Sequence, residues 1–186
     1  EATQCEVWGP ENPQITPVTH RVKEGDTVQI LGETLRVIEV PGHTLDHIAY
    51  LAPRILFCGD TLFAGGCGRV FEGTTAQMRA SLEKLSALPT DTRIYCAHEY
   101  TLGNLAFAQM VEPDNVALST FVAACQDKRA RDVPTVPSVL EGELSYNPFL
   151  RWSSAAIRQT LIDAGRLRDD SPDGVFSAVR EWKNQA

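Results

Sequence analysis

Apolar and polar residues alternate along the first half of the chain, and this pattern predicts short strands. Two runs rich in valine and isoleucine, Thr27–Leu31 and Thr34–Val40, are separated by Gly32-Glu33. A Gly-X pair between two such runs predicts a hairpin with glycine at the first turn position. Three more strands are predicted at His47–Leu51, Ile55–Cys58 and Arg93–Ala97.

Helical spacing appears once in the first half and dominates the second. The segment Thr74–Leu88 carries apolar residues on one face, and Thr74 with Gln77 makes a capping box. Beyond residue 100, helices are predicted over Leu102–Met110 and at starts near Pro113-Asp114, at Ser153 and at Ser171. The sequence therefore predicts an α/β (α+β) protein with two domains, residues 1–100 mixed α/β and residues 101–186 all-α.

Composition and charge narrow the function. Hydrophobic residues make up 43% of the 186 residues, charged residues 22%, and the formal net charge is -7. This composition is typical of a globular protein with a sizeable core. The acidic balance argues against nucleic acid as a main partner, and no apolar run has the length of a membrane span. We therefore expect neither a nucleic-acid nor a membrane partner.

The five cysteines are an odd number with no Cys-x-x-Cys spacing. Free thiols in a reducing compartment fit this pattern better than a disulfide framework. Cys58 and Cys96 lie in apolar strands and are interpreted as core residues. We expect a cytoplasmic location.

The stretch Leu56–Arg69 draws attention because an apolar strand stops at Gly59-Asp60 and opens into a glycine loop. Strand ends present functional groups on a rigid backbone, and a loop beside them leaves room for a ligand. A carboxylate that only caps a turn is the other interpretation of Asp60.

Two of the four histidines occupy equivalent positions. His43 and His98 each follow a strand-like run, as Asp60 does. Imidazole and carboxylate are the ligands that zinc prefers, so the three strand ends predict a metal site, with chance placement as the alternative. His47 is interpreted as a buried, hydrogen-bonded histidine, and His20 as a solvent-exposed residue of a polar loop.

Three motifs in the chain resemble glyoxalase II, or hydroxyacylglutathione hydrolase, of the metallo-β-lactamase superfamily. They are Pro41–His47 (PGHTLDH), Phe57–Phe63 (FCGDTLF) and Cys96–Thr101 (CAHEYT). The resemblance continues through the glycine loop Gly65–Arg69 and Phe71–Gly73, and reaches Tyr146–Arg151 and Ala178–Arg180 in the helical half. It implies an αββα sandwich followed by an α-helical glutathione-binding domain.

The resemblance also implies a reaction and a set of site residues. S-D-lactoylglutathione would be hydrolysed to D-lactate and glutathione, in methylglyoxal detoxification, by a hydroxide held between two divalent metal ions, zinc first and iron or manganese as alternatives. By position, the metals would be held by His43, His98 and a bridging, catalytic Asp60. The glutathione site would comprise Arg69, Phe71, Tyr100, Arg180 and Lys183.

The sequence departs from the family pattern in three places. The family's Thr-His-x-His-x-Asp-His motif has no counterpart in residues 1–42, Asp46 replaces a usual glycine, and Phe71 replaces a frequent tyrosine. We expect the chain to be the C-terminal two-thirds of a longer enzyme, with the N-terminal part of the sandwich missing. A missing segment or a second chain would then complete the fold, and this chain alone would be inactive. Another metallo-β-lactamase-fold hydrolase, a persulfide dioxygenase and a non-catalytic glutathione-binding fragment are the alternatives.

Overall fold

The computed structural model describes residues 5–186, so Glu1, where the first predicted domain begins, lies outside the described residues. The strands are β1 Trp8–Pro10, β2 His20–Val22, β3 Thr27–Ile30, β4 Glu33–Glu39, β5 Ile48–Ala52, β6 Ile55–Gly59, β7 Leu62–Phe63, β8 Gly66–Cys67, β9 Arg93–Cys96 and β10 Ser138–Val139. The helices are α1 Thr75–Ser86, α2 Thr101–Val111, α3 Val116–Ala130, α4 Leu140–Tyr146, α5 Ala155–Asp163 and α6 Pro172–Gln185. The predicted mixed α/β half and helical half are confirmed.

Six strands form one mixed sheet in the order β10-β9-β6-β5-β4-β3. Strands β4, β5 and β6 pair antiparallel in sequence, whereas β6 and β9 pair parallel, with Phe57 opposite Tyr95. It follows that β4, β6 and β9 run in the same direction. Their carboxyl ends therefore lie at the same edge of the sheet.

The hairpin between β3 and β4 turns one residue earlier than the sequence predicts. Ile30 pairs with Glu33, so the turn consists of Leu31 and Gly32, with φ angles of 52° and 83°. The prediction of glycine at the first turn position is wrong. A two-residue turn with positive φ at both positions matches the right-handed twist of the strands, and glycine occupies its second position.

The helix caps follow the sequence with one exception. The Thr74 and Gln77 capping box is present at α1, and Ser171 caps α6 by accepting from Gly174 N–H. Helix α5 is capped by Ser154, which accepts from Ile157 N–H, so the prediction of Ser153 is wrong by one residue. No pattern predicted α4, whose seven residues, about two turns, are too few to show a period.

One buried cluster joins the sheet to the helices on both sides of residue 100. Its members include Ile38, Leu56, Ile94, Met78, Leu82, Phe107, Phe149, Ile157, Phe176 and Val179. Burying apolar area of this kind is the main favourable contribution to folding. The opposite sheet face is more open, and Phe57 there is 44% exposed. The division into two domains stays a prediction. No helix among residues 5–186 is long and apolar enough to cross a membrane.

A buried carboxylate ties the helical half to the glycine loop. Glu143 of α4 is fully buried, and its Oε2 accepts from Gly65 N–H at 2.9 Å and from Asn147 Nδ2 at 2.8 Å. Its Oε1 accepts from the Tyr146 hydroxyl at 3.0 Å. Asn147 Nδ2 also lies 3.2 Å from Phe63 O and 3.0 Å from Gly66 O. Partners of this kind are needed because an unsatisfied buried polar group is costly.

This carboxylate should make stability depend on pH. Burial raises the pKa of Glu143 above its value in the unfolded chain. The contribution of Glu143 to stability is therefore greatest below the unfolded pKa and is lost as pH rises through the folded pKa. Glu143→Gln keeps an acceptor for Gly65 but does not titrate. We expect its free energy of unfolding, relative to the unmodified protein, to rise from about pH 4 to about pH 7 in urea denaturation.

The matched control for this prediction is Glu141→Gln, since Glu141 lies in the same helix but is exposed. Its free energy of unfolding relative to the unmodified protein should hold steady over that pH range. A Glu143→Gln difference that is equally flat would contradict the assignment of a raised pKa.

Candidate metal centre and substrate cleft

Three strands deliver the three predicted metal-binding side chains to one edge of the sheet. His43 follows β4, Asp60 follows β6 and His98 follows β9, and these strands run in the same direction. His43 Nε2 lies 3.9 Å from Asp60 Oδ2, and His98 Nε2 lies 3.3 Å from Asp60 Oδ1. The carboxylate thus presents one oxygen to each imidazole.

The hydrogen bonding of His43 leaves one ring nitrogen available. Its Nδ1 lies 2.8 Å from the backbone oxygen of Arg69. A carbonyl can only accept, so Nδ1 carries a proton, and in the neutral ring Nε2, which faces Asp60, is the nitrogen with the lone pair. This tautomer is the one in which a histidine ligates a metal, and the backbone contact fixes the ring orientation.

His47 supports Asp60 through the backbone. Its Nε2 accepts from Asp60 N–H at 2.9 Å, and burial, followed by the charge of His43, lowers its pKa. The prediction of a hydrogen-bonded histidine is confirmed, but His47 is half-buried rather than buried. A side chain at Gly59, whose φ is +53°, would come within 2.5 Å of the His47 ring, so the bond depends on glycine there. Asp46, the residue in place of the usual glycine, accepts from Asn12 and Thr44.

His20 differs from its prediction. It lies in strand β2 rather than in a loop, its ring stacks on Trp8 with centroids 4.3 Å apart, and it pairs with Glu6 at 3.4 Å. The prediction of a loop residue is wrong, because the aromatic contact holds this segment in the small β1–β2 ribbon.

The glycine loop packs its backbone against the backbone of Asp60. Strands β7 and β8 form a tight hairpin inside it, and a Cβ at Gly68 would lie 1.9 Å from the backbone oxygen of Asp60. From the helical half, Arg180 Nη1 donates to Cys67 O at 3.1 Å and to Gly68 O at 3.4 Å. Two residues of the helical half, Arg180 and Glu143, therefore hold the backbone of the glycine loop in place.

All eight predicted site residues line one cavity of about 870 Å³. They are His43, Asp60, Arg69, Phe71, His98, Tyr100, Arg180 and Lys183. Phe71 packs beside His43 at 4.9 Å between ring centroids, and Tyr100 stacks on His98 at 5.0 Å. Each imidazole is thus covered by an exposed aromatic ring.

The two basic residues of α6 differ in their surroundings. Arg180 is 3% exposed, and its guanidinium lies 5.0 Å from the Phe149 ring. Lys183 Nζ donates to Gly103 O at 3.0 Å and lies 4.9 Å from the Phe107 ring. Burial, followed by the charge of Arg180, lowers the pKa of Lys183. Both reach the cavity because residues three apart share a helical face.

Two of the residues that hold the loop, Glu143 and Asn147, were missed by sequence reasoning. Glu143 and Asn147 are four residues apart, and this spacing is the one signal that would have placed them on the same helical face. A glutamate in a short helix is otherwise expected in solvent.

The arrangement fits metal ions that share a carboxylate. Among residues 5–186, no three His, Cys, Asp or Glu side chains converge on one point suited to an ion. The histidines lie instead on separate oxygens of Asp60, so each of two positions would receive one imidazole nitrogen and one carboxylate oxygen. These are donors suited to zinc, iron or manganese.

Comparison with known proteins identifies the chain. The family described as "Metallo-beta-lactamase superfamily" matches residues 2–98, and "Hydroxyacylglutathione hydrolase C-terminus" matches residues 99–186. The fold agrees with solved structures. ETHE1 from Myxococcus xanthus aligns with a TM-score of 0.59 and 24% identity, over 97% of this chain and 66% of that one. BLEG-1 B3 metallo-beta-lactamase gives a TM-score of 0.50 and 21% identity, over 73% of this chain and 50% of that one.

Fold and site thus define a member of the metallo-β-lactamase superfamily, which implies divalent metal ions. Hydroxyacylglutathione hydrolase of Idiomarina loihiensis is 46% identical over 100% of this chain and 74% of its own length. That of Pseudomonas aeruginosa is 48% identical over 100% of this chain and 73% of its own length. The chain belongs to the hydroxyacylglutathione hydrolase family.

The approach of Gly68 to Asp60 can be tested with an alanine. Gly68→Ala would force Cβ into the Asp60 carbonyl, so we expect a loss of about 2 kcal/mol or more in the free energy of unfolding. Zn²⁺ affinity should fall at the same time, because the displaced strand end carries Asp60, the predicted metal ligand. Urea denaturation and competition with a chromogenic chelator measure the two effects.

Gly103→Ala is the control for this substitution. Gly103 also lines the cavity, but nothing lies within 4 Å of a Cβ there, and it is inside helix α2. Alanine should be neutral or stabilise by up to about 1 kcal/mol. Similar losses at both glycines would argue against a specific role for the close approach at Gly68.

Proposed function

We propose that this cleft serves the hydrolysis of S-2-hydroxyacylglutathione thioesters, S-D-lactoylglutathione in particular, to the 2-hydroxy acid and glutathione. The observation that carries this proposal is the shared cavity, which is lined by Asp60 with an imidazole at each oxygen and also by Arg69 and Lys183. A hydrolytic centre would thus lie within reach of cations that suit the carboxylates of glutathione.

The metal ligands follow from the pairing at Asp60. His43 and Asp60 would hold one ion and His98 and Asp60 the other, with zinc as the proposed metal and iron or manganese as alternatives. Divalent ions bound there would lower the pKa of water and polarise the thioester carbonyl. His47 keeps Asp60 in place by accepting its N–H.

The remaining residues would bind and orient the substrate. The cationic side chains of Arg69 and Lys183 would meet a glutathione carboxylate, and the rings of Phe71 and Tyr100 would flank the thioester. Arg180 would hold the glycine loop through two carbonyls and add its positive charge to the lining of the cavity. In this proposal residues 1–100 supply the metal site, and residues 101–186 complete the glutathione site.

We also propose that the protein acts in the cytoplasm. Cys58, Cys67, Cys96 and Cys125 are free thiols, which suit a reducing compartment. A cytoplasmic site of action agrees with these free thiols.

Two substitutions should separate metal binding from glutathione binding. Asp60→Asn leaves one ligating oxygen, so Zn²⁺ affinity should fall by more than about tenfold while glutathione affinity stays within about twofold. Lys183→Met should show the reverse, with glutathione bound about tenfold more weakly. Calorimetry measures glutathione binding and chelator competition measures Zn²⁺ binding.

Ligand choice completes this test. S-D-lactoylglutathione should displace glutathione from the cleft, and a β-lactam should not. A cleft that binds the β-lactam and ignores glutathione would refute the proposed substrate class.

We expect no measurable turnover of S-D-lactoylglutathione by this chain alone. Residues 5–186 supply two donors to each proposed ion, whereas zinc takes at least four ligands. Elemental analysis should therefore find fewer than two metal ions per chain after dialysis. Two tightly held ions together with steady turnover would show this expectation to be wrong.

A further inference from the structure

An ion pair in the substrate cavity has no part in the proposed reaction. Glu99 follows His98 at the start of α2, and Arg129 lies near the end of α3. Both side chains line the cavity that holds the proposed metal ligands, and Arg129 Nε lies 3.6 Å from Glu99 Oε1. The two are 37% and 33% exposed, so each is available to a ligand.

The side chain of Arg129 is held in place by residues that directly follow helix α3. Its Nη1 donates to Val133 O at 3.2 Å and its Nη2 to Asp132 Oδ1 at 3.4 Å. The separation from Glu99 is longer than a hydrogen bond. The pair is therefore oriented, yet the Nε–H and the Glu99 carboxylate retain hydrogen-bonding capacity toward the cavity.

The pair differs from the other charged residues of the cavity in that it offers a carboxylate as well as a guanidinium to a ligand. The other basic residues lining it are Arg69, Arg180 and Lys183, which suit carboxylates. Among the described lining residues, Glu99 is the one carboxylate side chain besides Asp60. It is thus the natural partner for a positive group on the ligand, with a guanidinium beside it.

Glutathione carries a matching pair of charges. Its γ-glutamyl end has an ammonium and a carboxylate on the same carbon atom, while its glycyl end has a carboxylate only. We propose that Glu99 and Arg129 form a subsite for this α-amino-acid head, with Glu99 accepting from the ammonium and Arg129 donating to the carboxylate. The inference rests on the proposed function, because it assumes that glutathione occupies the cleft.

The competing explanation is a purely structural pair that joins α3 to the start of α2. Partly exposed ion pairs contribute little to stability, so this explanation predicts a small effect of substitution and none that depends on the ligand. The two explanations therefore differ in how binding responds to the γ-glutamyl group.

The experiment is calorimetry on the metal-free protein, so that neither metal nor turnover enters the readout. The ligands are glutathione, cysteinylglycine, which lacks the γ-glutamyl group, and glutaryl-cysteinylglycine, which lacks only the ammonium. Arg129→Met should weaken glutathione about tenfold and leave cysteinylglycine unchanged. Glu99→Gln should weaken glutathione and leave the glutaryl ligand unchanged.

Arg131→Met is the matched control. Arg131 lies two residues further along, pairs with Asp127, and does not line the cavity. Its substitution should leave the affinity for all three ligands as it is. If Arg129→Met leaves glutathione binding unchanged, or weakens glutathione and cysteinylglycine equally, the subsite is refuted.

If the proposed function itself is wrong, the calorimetry gives a result that differs from failure of the subsite. The unmodified protein would then bind neither glutathione nor cysteinylglycine, and the subsite would fall with it. Binding of glutathione by the unmodified protein that is insensitive to Arg129→Met or to Glu99→Gln would overturn the subsite alone.

Discussion

The buried carboxylate of Glu143 is the contact on which the cleft depends. It accepts hydrogen bonds from Gly65 N–H and from the Asn147 side chain. Asn147 in turn donates to the backbone carbonyls of Phe63 and Gly66. Without these partners the hairpin of the glycine loop would carry unsatisfied polar groups in the protein interior. The cost of burying Glu143 is offset by a loop fixed closely enough for Gly68 to pass against the Asp60 backbone.

In this site, the ends of strands and backbone groups, rather than other side chains, position the predicted metal ligands. Three strands of common direction place His43, Asp60 and His98 at one edge, and backbone groups then set the orientation of the side chains. The Arg69 carbonyl fixes the tautomer of His43, and His47 fixes the backbone of Asp60. The centre is therefore organised by the sheet, and the cleft beside it by helices α2, α3 and α6.

Sequence patterns predicted what depends on periodicity and on strand ends. The convergence of His43, Asp60 and His98 was predictable, because strands that share a direction end at the same edge. The burial of Arg180 was not, since a basic residue near a helix C-terminus is normally solvated. The role of Glu143 was also hidden, because the backbone group that it binds in the loop, Gly65 N–H, is 78 residues away in sequence. The shifts at Leu31 and Ser154 reflect local geometry that composition does not encode.

The clamp on the glycine loop has a consequence for building chimeras between related enzymes. An exchange at residue 100 would separate Gly65–Gly68 from the helical residues that bind its backbone, namely Glu143, Asn147 and Arg180. Those bonds depend on the backbone path of the loop, which close contacts at Gly65, Gly66 and Gly68 restrict to glycine at these positions. A helical half grafted onto a foreign sheet should therefore be transferred together with the loop. The two segments are separate in sequence but must come from the same parent enzyme.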